Sequence, residues 1–234
     1  SLDWVLSASI AGLDREDLAM DKLTLSGSGR VARTSAGRTF GGTLRLAAQG
    51  LLPESPALAK ALGPVLEVGL KVYSLEGSEA LRLSAIDLSG GDLSATGQLQ
   101  IEGLDSAFLT SGRLNLVADD LSRFDELAGL PLTGKGTIRL EGSASQLSGH
   151  LDGMVEVSAK GLGFGQPQID RLLTGRSTAS LSVIRDETGT MIRSLKLATD
   201  SLTADLSGTI ENAGSDLVGT VAISDLSALD RLGN

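Results

Sequence analysis

The sequence predicts an all-β chain, an antiparallel sheet with a few short helices. Three observations carry this. Apolar and polar residues alternate with a period of two, in short runs recurring about every 10 to 15 residues. Clusters of Gly, Ser, Asp and Asn separate the runs. A block of roughly 110 residues is also written twice: Pro56, Leu58, Leu62, Leu70, Val72, Gly97 and Leu99 return 111 positions later as Pro167, Ile169, Leu173, Leu181, Val183, Gly208 and Ile210. Strands with one greasy face, repeated in tandem, mark an array whose copies stabilise each other through their neighbours.

The elements follow in order. Arg15 to Met20 is a candidate short helix. Leu23, Leu25, Gly27, Gly29 and Val31 alternate with polar residues and form a strand. Ser55 is a helix cap, Pro56 suits the first turn, Leu58 and Leu62 share a face, and Gly63-Pro64 ends the segment. Leu66, Val68, Leu70 and Val72 form the next strand. The apolar parity slips near Ala85-Ile86, which places a bulge there. Ser89-Gly90-Gly91-Asp92 is a hairpin turn into the strand of Leu93, Ala95, Gly97, Leu99 and Ile101.

Leu121, Phe124, Leu127 and Gly129 spell a second kind of short helix, matched by Leu226, Leu229, Leu232 and Gly233. Leu130, Leu132, Gly134, Gly136 and Ile138 match Leu23 to Val31 at an offset of 107. Pro167 to Leu173, ended by Gly175, is the sister of the first helix. Turns at Asp186 to Gly189 and Glu211 to Gly214 flank the strand of Leu202, Ala204, Leu206, Gly208 and Ile210. Short connections make meanders, not βαβ units. The repeat units run from about 13 to 120 and from 121 to 234, read as one continuous segment of 1–234.

Composition narrows the function. Hydrophobic residues are 41% of 234, yet aromatics are only 3%. The formal charge is -9, with no basic stripe, so a nucleic-acid partner is excluded. There is no cysteine, hence no disulfide, thiolate or Cys-based zinc chemistry. No apolar run approaches the length of a membrane span. The chain starts at Ser1 without Met and ends inside a repeated element, so it reads as a segment of a longer protein.

Catalytic motifs fall away on inspection. Gly129 to Gly136 resembles a phosphate loop, but Gly136 stands where a Mg²⁺-ligating hydroxyl belongs. The following Thr137 to Glu141 is a strand, not the helix such a loop needs. Gly161-Leu-Gly163-Phe-Gly165 lacks dinucleotide spacing. His150, the one histidine, reads as an exposed turn residue without metal-ligand company. Asp119-Asp120, Asp125-Glu126 and Asp186-Glu187 sit at helix ends and turns, where carboxylates cap. Trp4 reads as packing and not as a sugar platform. No enzyme, cofactor or metal is expected.

What remains is the greasy face. It can pack on a second sheet or curl to line an interior. A face of Leu, Val, Ile, Ala and Gly without large rings suits a partly open trough. Acyl chains fill such a trough at about 0.8 kcal/mol per methylene and can slide along it. The lining residues are Leu66, Val68, Leu70, Val72, Leu93, Leu99, Leu114, Leu116, Leu181, Val183, Leu195, Leu202, Leu206, Ile210, Val221 and Ile223.

Gly134 to Gly142, Gln166 to Gly175, Ala179 to Val183 and Leu195 to Ile210, in that order, resemble the alphaproteobacterial form of the TamB family, in the AsmA-like superfamily. The likeness covers nearly the whole chain. It implies a periplasmic β-taco, an elongated U-shaped antiparallel sheet with a hydrophobic groove. It implies a protein anchored in the inner membrane that carries phospholipid to the outer membrane. Its partners would be phospholipid acyl chains, flanking segments of the same long chain, and a TamA-like outer-membrane barrel met through other regions. The family has no catalytic residues. Two alternatives stand beside this: a chaperone that holds outer-membrane strands by edge pairing, and a structural stalk with a dry core.

Overall fold

In the computed structural model the described residues are 1–103, 106, 108–145, 147–211 and 214–224. They fall into two compact units, Ser1–Leu116 and Val117–Asn234.

The first unit contains β1 (Leu2–Asp14), β2 (Leu18–Thr34), β3 (Gly37–Gln49), a two-residue β4 (Leu52–Pro53), α1 (Pro56–Leu62), β5 (Val65–Leu75), β6 (Ala80–Gly90), β7 (Leu93–Glu102) and most of β8 (Leu109–Ala118). The sheet order is β1-β2-β3-β5-β6-β7-β8, with β4 paired to β2. Pairing from β1 through β7 is antiparallel throughout. This is the meander that short Gly- and Asp-rich turns dictate.

The second unit opens with a 3₁₀ turn (Leu121–Phe124) and α2 (Asp125–Ala128). Then come β9 (Thr133–Ser145), β10 (Leu151–Gly163), α3 (Pro167–Leu172), β11 (Arg176–Arg185), β12 (Gly189–Ala198), β13 (Leu202–Glu211) and β14 (Gly214–Ile223). These strands also pair in chain order and antiparallel. In each unit the sheet is open, since its first and last strands do not pair with each other. Every substantial contact between strands is with a sheet neighbour. The fold is therefore all-β and antiparallel, and among the described residues of each unit no second sheet packs on the first.

The short helices obey their local chemistry. Leu58 N–H donates to Ser55 Oγ at 3.4 Å, Pro56 occupies the first turn, and Gly63 caps the C-terminus at φ 74°. Ser122 N–H donates to Asp120 Oδ1 at 2.9 Å, and Gly129 closes α2 in the left-handed region. Asp120 thus acts as a cap, and Asp125 and Glu126 sit in the first turn of α2. The matching helix at Leu226 to Gly233 lies outside the described residues, as do Asn212 and Ala213 of the last turn.

Four sequence expectations are corrected. Arg15 to Met20 is not a helix. Arg15 and Leu18 exchange backbone hydrogen bonds of 3.1 and 3.3 Å in a hairpin turn, and Met20 already pairs with Leu13. Pairing with β1 offers more than a single unsupported helical turn could. Leu130 and Leu132, matched by sequence to strand residues Leu23 and Leu25, precede β9 instead. Their place follows the left-handed Gly129, which ends α2 and leaves two or three residues to reach the sheet. His150 lies in the β9–β10 turn as expected, but it is half-buried, not exposed.

The fourth correction concerns the repeat. Gly42, Val72, Leu83 and Leu99 form one rung across β3, β5, β6 and β7. The corresponding rung across β10 to β13 is Gly153, Val183, Ile192 and Gly208. Val72 and Val183 keep the offset of 111, but Leu99 lines up with Gly208, at 109. The chain returns from Val72 to its partner Leu83 in eleven positions but from Val183 to Ile192 in nine, which accounts for those two residues. A slip of two leaves every side chain on its face, so the sequence alignment by pattern alone cannot detect it.

The bulge expected near Ala85-Ile86 is present. Leu83 pairs with Leu99 and Ile86 with Gly97, so β6 carries one extra residue. β12 does the same, since Ile192 pairs with Gly208 and Leu195 with Leu206. In both units the extra residue returns the next apolar side chains to the face held by the previous ones.

Candidate functional site

Register converts the alternating pattern into surfaces, because directly paired residues point to the same side of a sheet. In the first unit, five rungs run across the strands on one face. They begin at Leu2, Trp4, Leu6, Ala8 and Ile10 of β1 and pass through Val31, Gly29, Gly27, Leu25 and Leu23 of β2. In β3 they continue as Phe40, Gly42, Leu44, Leu46 and Ala48. Leu66, Val68, Leu70 and Val72 of β5 extend them, and Leu93 and Leu99 of β7 lie on the same face. A Cβ on Gly97 would lie 2.7 Å from the Leu114 side chain, and one on Gly112 would lie 2.9 Å from that of Leu99. Leu114 therefore belongs to this face, and Leu116, two residues on, shares its parity.

The second unit has the same construction. Leu140, Val155, Leu181, Leu195 and Leu206 make one rung. Val183 lies on the adjacent rung toward the β11–β12 turn. Leu202, Leu206 and Ile210 of β13 and Val221 and Ile223 of β14 are on this face too. All the residues assigned from sequence to the lining thus fall on one face of their own unit. Register adds residues that the sequence reading left out: Trp4, Leu25, Leu44, Leu46, Val155, Val157 and Leu197. Parity within their own runs was the signal that could have found them.

These side chains are not covered. Among the assigned residues only Val72 is buried; Ile210 and Val221 are exposed, and the rest are half-buried. Among the described residues no large side chain is fully buried. Packing concentrates at one end of each face. In the first unit Met20, Ala48 and Leu51 are buried against Leu13, Leu18, Leu23, Leu62 and Leu66, beneath α1. In the second, Ala159, Leu173 and Ser177 are buried beside α3, where the Ser177 hydroxyl donates to the Leu173 carbonyl at 3.3 Å. At the other end of the first face Trp4 stacks on Phe40, with ring centres 5.3 Å apart and planes 8° from parallel. Trp4 is half-buried packing, as its sequence context indicated.

The opposite face is polar. Arg30 donates to Asp3 at 2.7 Å across β1 and β2, and Arg193, in the β12 bulge, pairs with Asp152 at 2.6 Å. The guanidinium of Arg30, by hydrogen bond and charge, holds the Asp3 carboxyl below its ordinary value, and Asp3 in turn raises Arg30. Two surface hollows lie on this polar side. One is walled by Arg139, Glu156, Ser158, Thr178 and Lys196, another by Thr24, Ser26, Arg45, Glu67 and Asp87. Their walls carry both signs of charge.

Among the described residues no group of three or more His, Asp or Glu converges as a metal site. Lys135 and Gly136, at the false phosphate loop, are inside β9. Asp186 accepts from the Thr188 hydroxyl at 2.5 Å and from the Thr188 and Gly189 amides at 2.8 and 3.3 Å. Those bonds, the hydroxyl's first, lower its pKa and close the β11–β12 turn. No helix among the described residues is long and apolar enough to cross a membrane. No family model, curated protein or solved structure matches this chain.

Proposed function

We propose that this chain is a lipid-handling β segment, whose apolar face holds phospholipid acyl chains in transit. The reading takes it as part of a periplasmic bridge of the TamB kind, anchored in the inner membrane and serving outer-membrane biogenesis, with a TamA-like barrel and flanking segments of its own chain as partners. The supporting observation is the set of largely apolar rungs in each unit, half exposed and, among the described residues of that unit, with no second layer against them. A flexible hydrocarbon needs that surface and little else. Each methylene it covers contributes about 0.8 kcal/mol with no directed polar contact. Most strand charges are held on the other face, and among the described residues no metal-binding group competes with this reading.

Mass spectrometry of lipid retained by the detergent-free protein tests it. Wild-type protein is expected to carry phospholipid, and L70D/L181D to lose it. Absence of lipid from folded wild-type protein sinks the proposal.

A second reading rests on the sheet edges. β1 has only β2 beside it and β14 only β13. Val5 and Val221 on these strands are 84% and 69% exposed. Such edges can take up an extended strand. Lipid-free protein that binds unfolded outer-membrane strands would favour that chaperone role.

A further inference from the structure

Trp4, the chain's single tryptophan, is seated in a slot made for it. It belongs to β1, yet its ring crosses two strands. A Cβ on Gly29 would lie 2.6 Å from Trp4 Cζ2, and one on Gly42 would overlap the same atom. A Cβ on Gly27 would lie 3.2 Å from Cζ3. The three glycines therefore floor a shallow slot in the apolar face, and the indole fills it. Phe40 flanks the ring as a parallel wall. The slot shares its rung with Val72, Leu83 and Leu99, so it is continuous with the apolar surface of the neighbouring strands.

One feature of the seat is poor. The indole Nε1 is shielded from solvent and has no hydrogen-bond partner. A shielded donor left unpaired costs free energy that any outward rotation recovers, since water then accepts from it. The hydrophobic contact with the glycine floor opposes that rotation. The seated ring is thus held by apolar contact alone, which a hydrocarbon chain lying on the same glycines can replace atom for atom. Once displaced, the N–H gains a partner in water or in a ligand ester oxygen.

We propose that Trp4 is a displaceable occupant of the Gly27–Gly29–Gly42 slot, a latch that closes this stretch of the apolar face until an aliphatic chain takes its place. The inference rests on the lipid reading above and adds a gate to it. The competing account is plain cross-strand cover, in which a ring shields glycine permanently.

Because Trp4 is the sole tryptophan, its fluorescence reports the slot directly. The probe is dodecanoic acid below its micelle concentration, with and without bromine near the methyl end. Binding is measured independently with the radiolabelled acid, and far-UV circular dichroism monitors the fold. Wild-type emission is expected to shift to the red and become accessible to acrylamide as the plain acid binds. Trp4→Ala is expected to bind the acid about tenfold more tightly, the factor for a slot open about a tenth of the time. The brominated acid is expected to quench wild-type emission, because the displaced ring remains beside the chain. Binding with unmoved emission and no acrylamide access overturns the latch and leaves the lipid reading standing. Binding by Trp4→Ala that is unchanged or weaker than wild type does the same. No binding by either protein overturns both. If Trp4→Ala fails to fold, the wild-type emission decides alone.

Discussion

Ala85 has a φ of 47° in the β6 bulge, a conformation that burdens any residue with a Cβ. Its side chain is exposed. Ala85→Gly is expected to stabilise the protein by roughly 0.5 kcal/mol, since relief of about 1–2 kcal/mol of strain exceeds the added chain entropy of glycine. Urea denaturation checks this; a loss of stability would mean the bulge is not strained. Asp186 supplies the second test at this scale. Its folded pKa is depressed, so its contribution is present at neutral pH and fades as pH falls through that folded value, below 3.8. Thr188→Val removes the leading bond. NMR titration should show the Asp186 pKa rise, and any stability gap from wild type should close in acid.

At the scale of elements, α1 holds one end of the first apolar face. Met20 is a buried member of that cluster. Met20→Ala is expected to cost about 2–3 kcal/mol. The loss should be felt first in the helix: amide exchange at Ala59 and Gly63, which close its turns onto Ser55 and Ala59, should quicken before that of β5. Equal acceleration everywhere would show that the cluster has no special tie to α1. The caps at Ser55, Pro56 and Gly63 were legible because they depend on adjacent residues. The Arg15 to Met20 hairpin was not, because its hydrogen bonds join residues whose pairing is set by β1. The bulge was legible as a break in parity, and its twin in β12 appeared only with the register.

For the molecule, the question is what lies against the apolar faces. Leu70 and Leu181 are half-buried, on corresponding positions of the two units. An aspartate at a solvent-reached position forfeits apolar contact of about 1–2 kcal/mol, whereas burial in a dry core costs several times more. L70D/L181D is therefore expected to remain folded in thermal melts while losing bound lipid. Collapse of the fold would instead indicate a covered core.

By itself the sequence determined the strands, their two faces, the capped turns and the existence of two copies. Each of these follows from neighbours a few residues apart, through a period of two and the chemistry of Gly, Pro, Ser and Asp. Tertiary structure alone decided which rung meets which, that Leu99 in its unit holds the rung position that Gly208 holds in the other, and that glycines from two strands floor a seat for Trp4. Those depend on hydrogen bonds between distant strands and on turn lengths. A shift of two residues preserves every face while moving every contact, so alternation alone cannot reveal it.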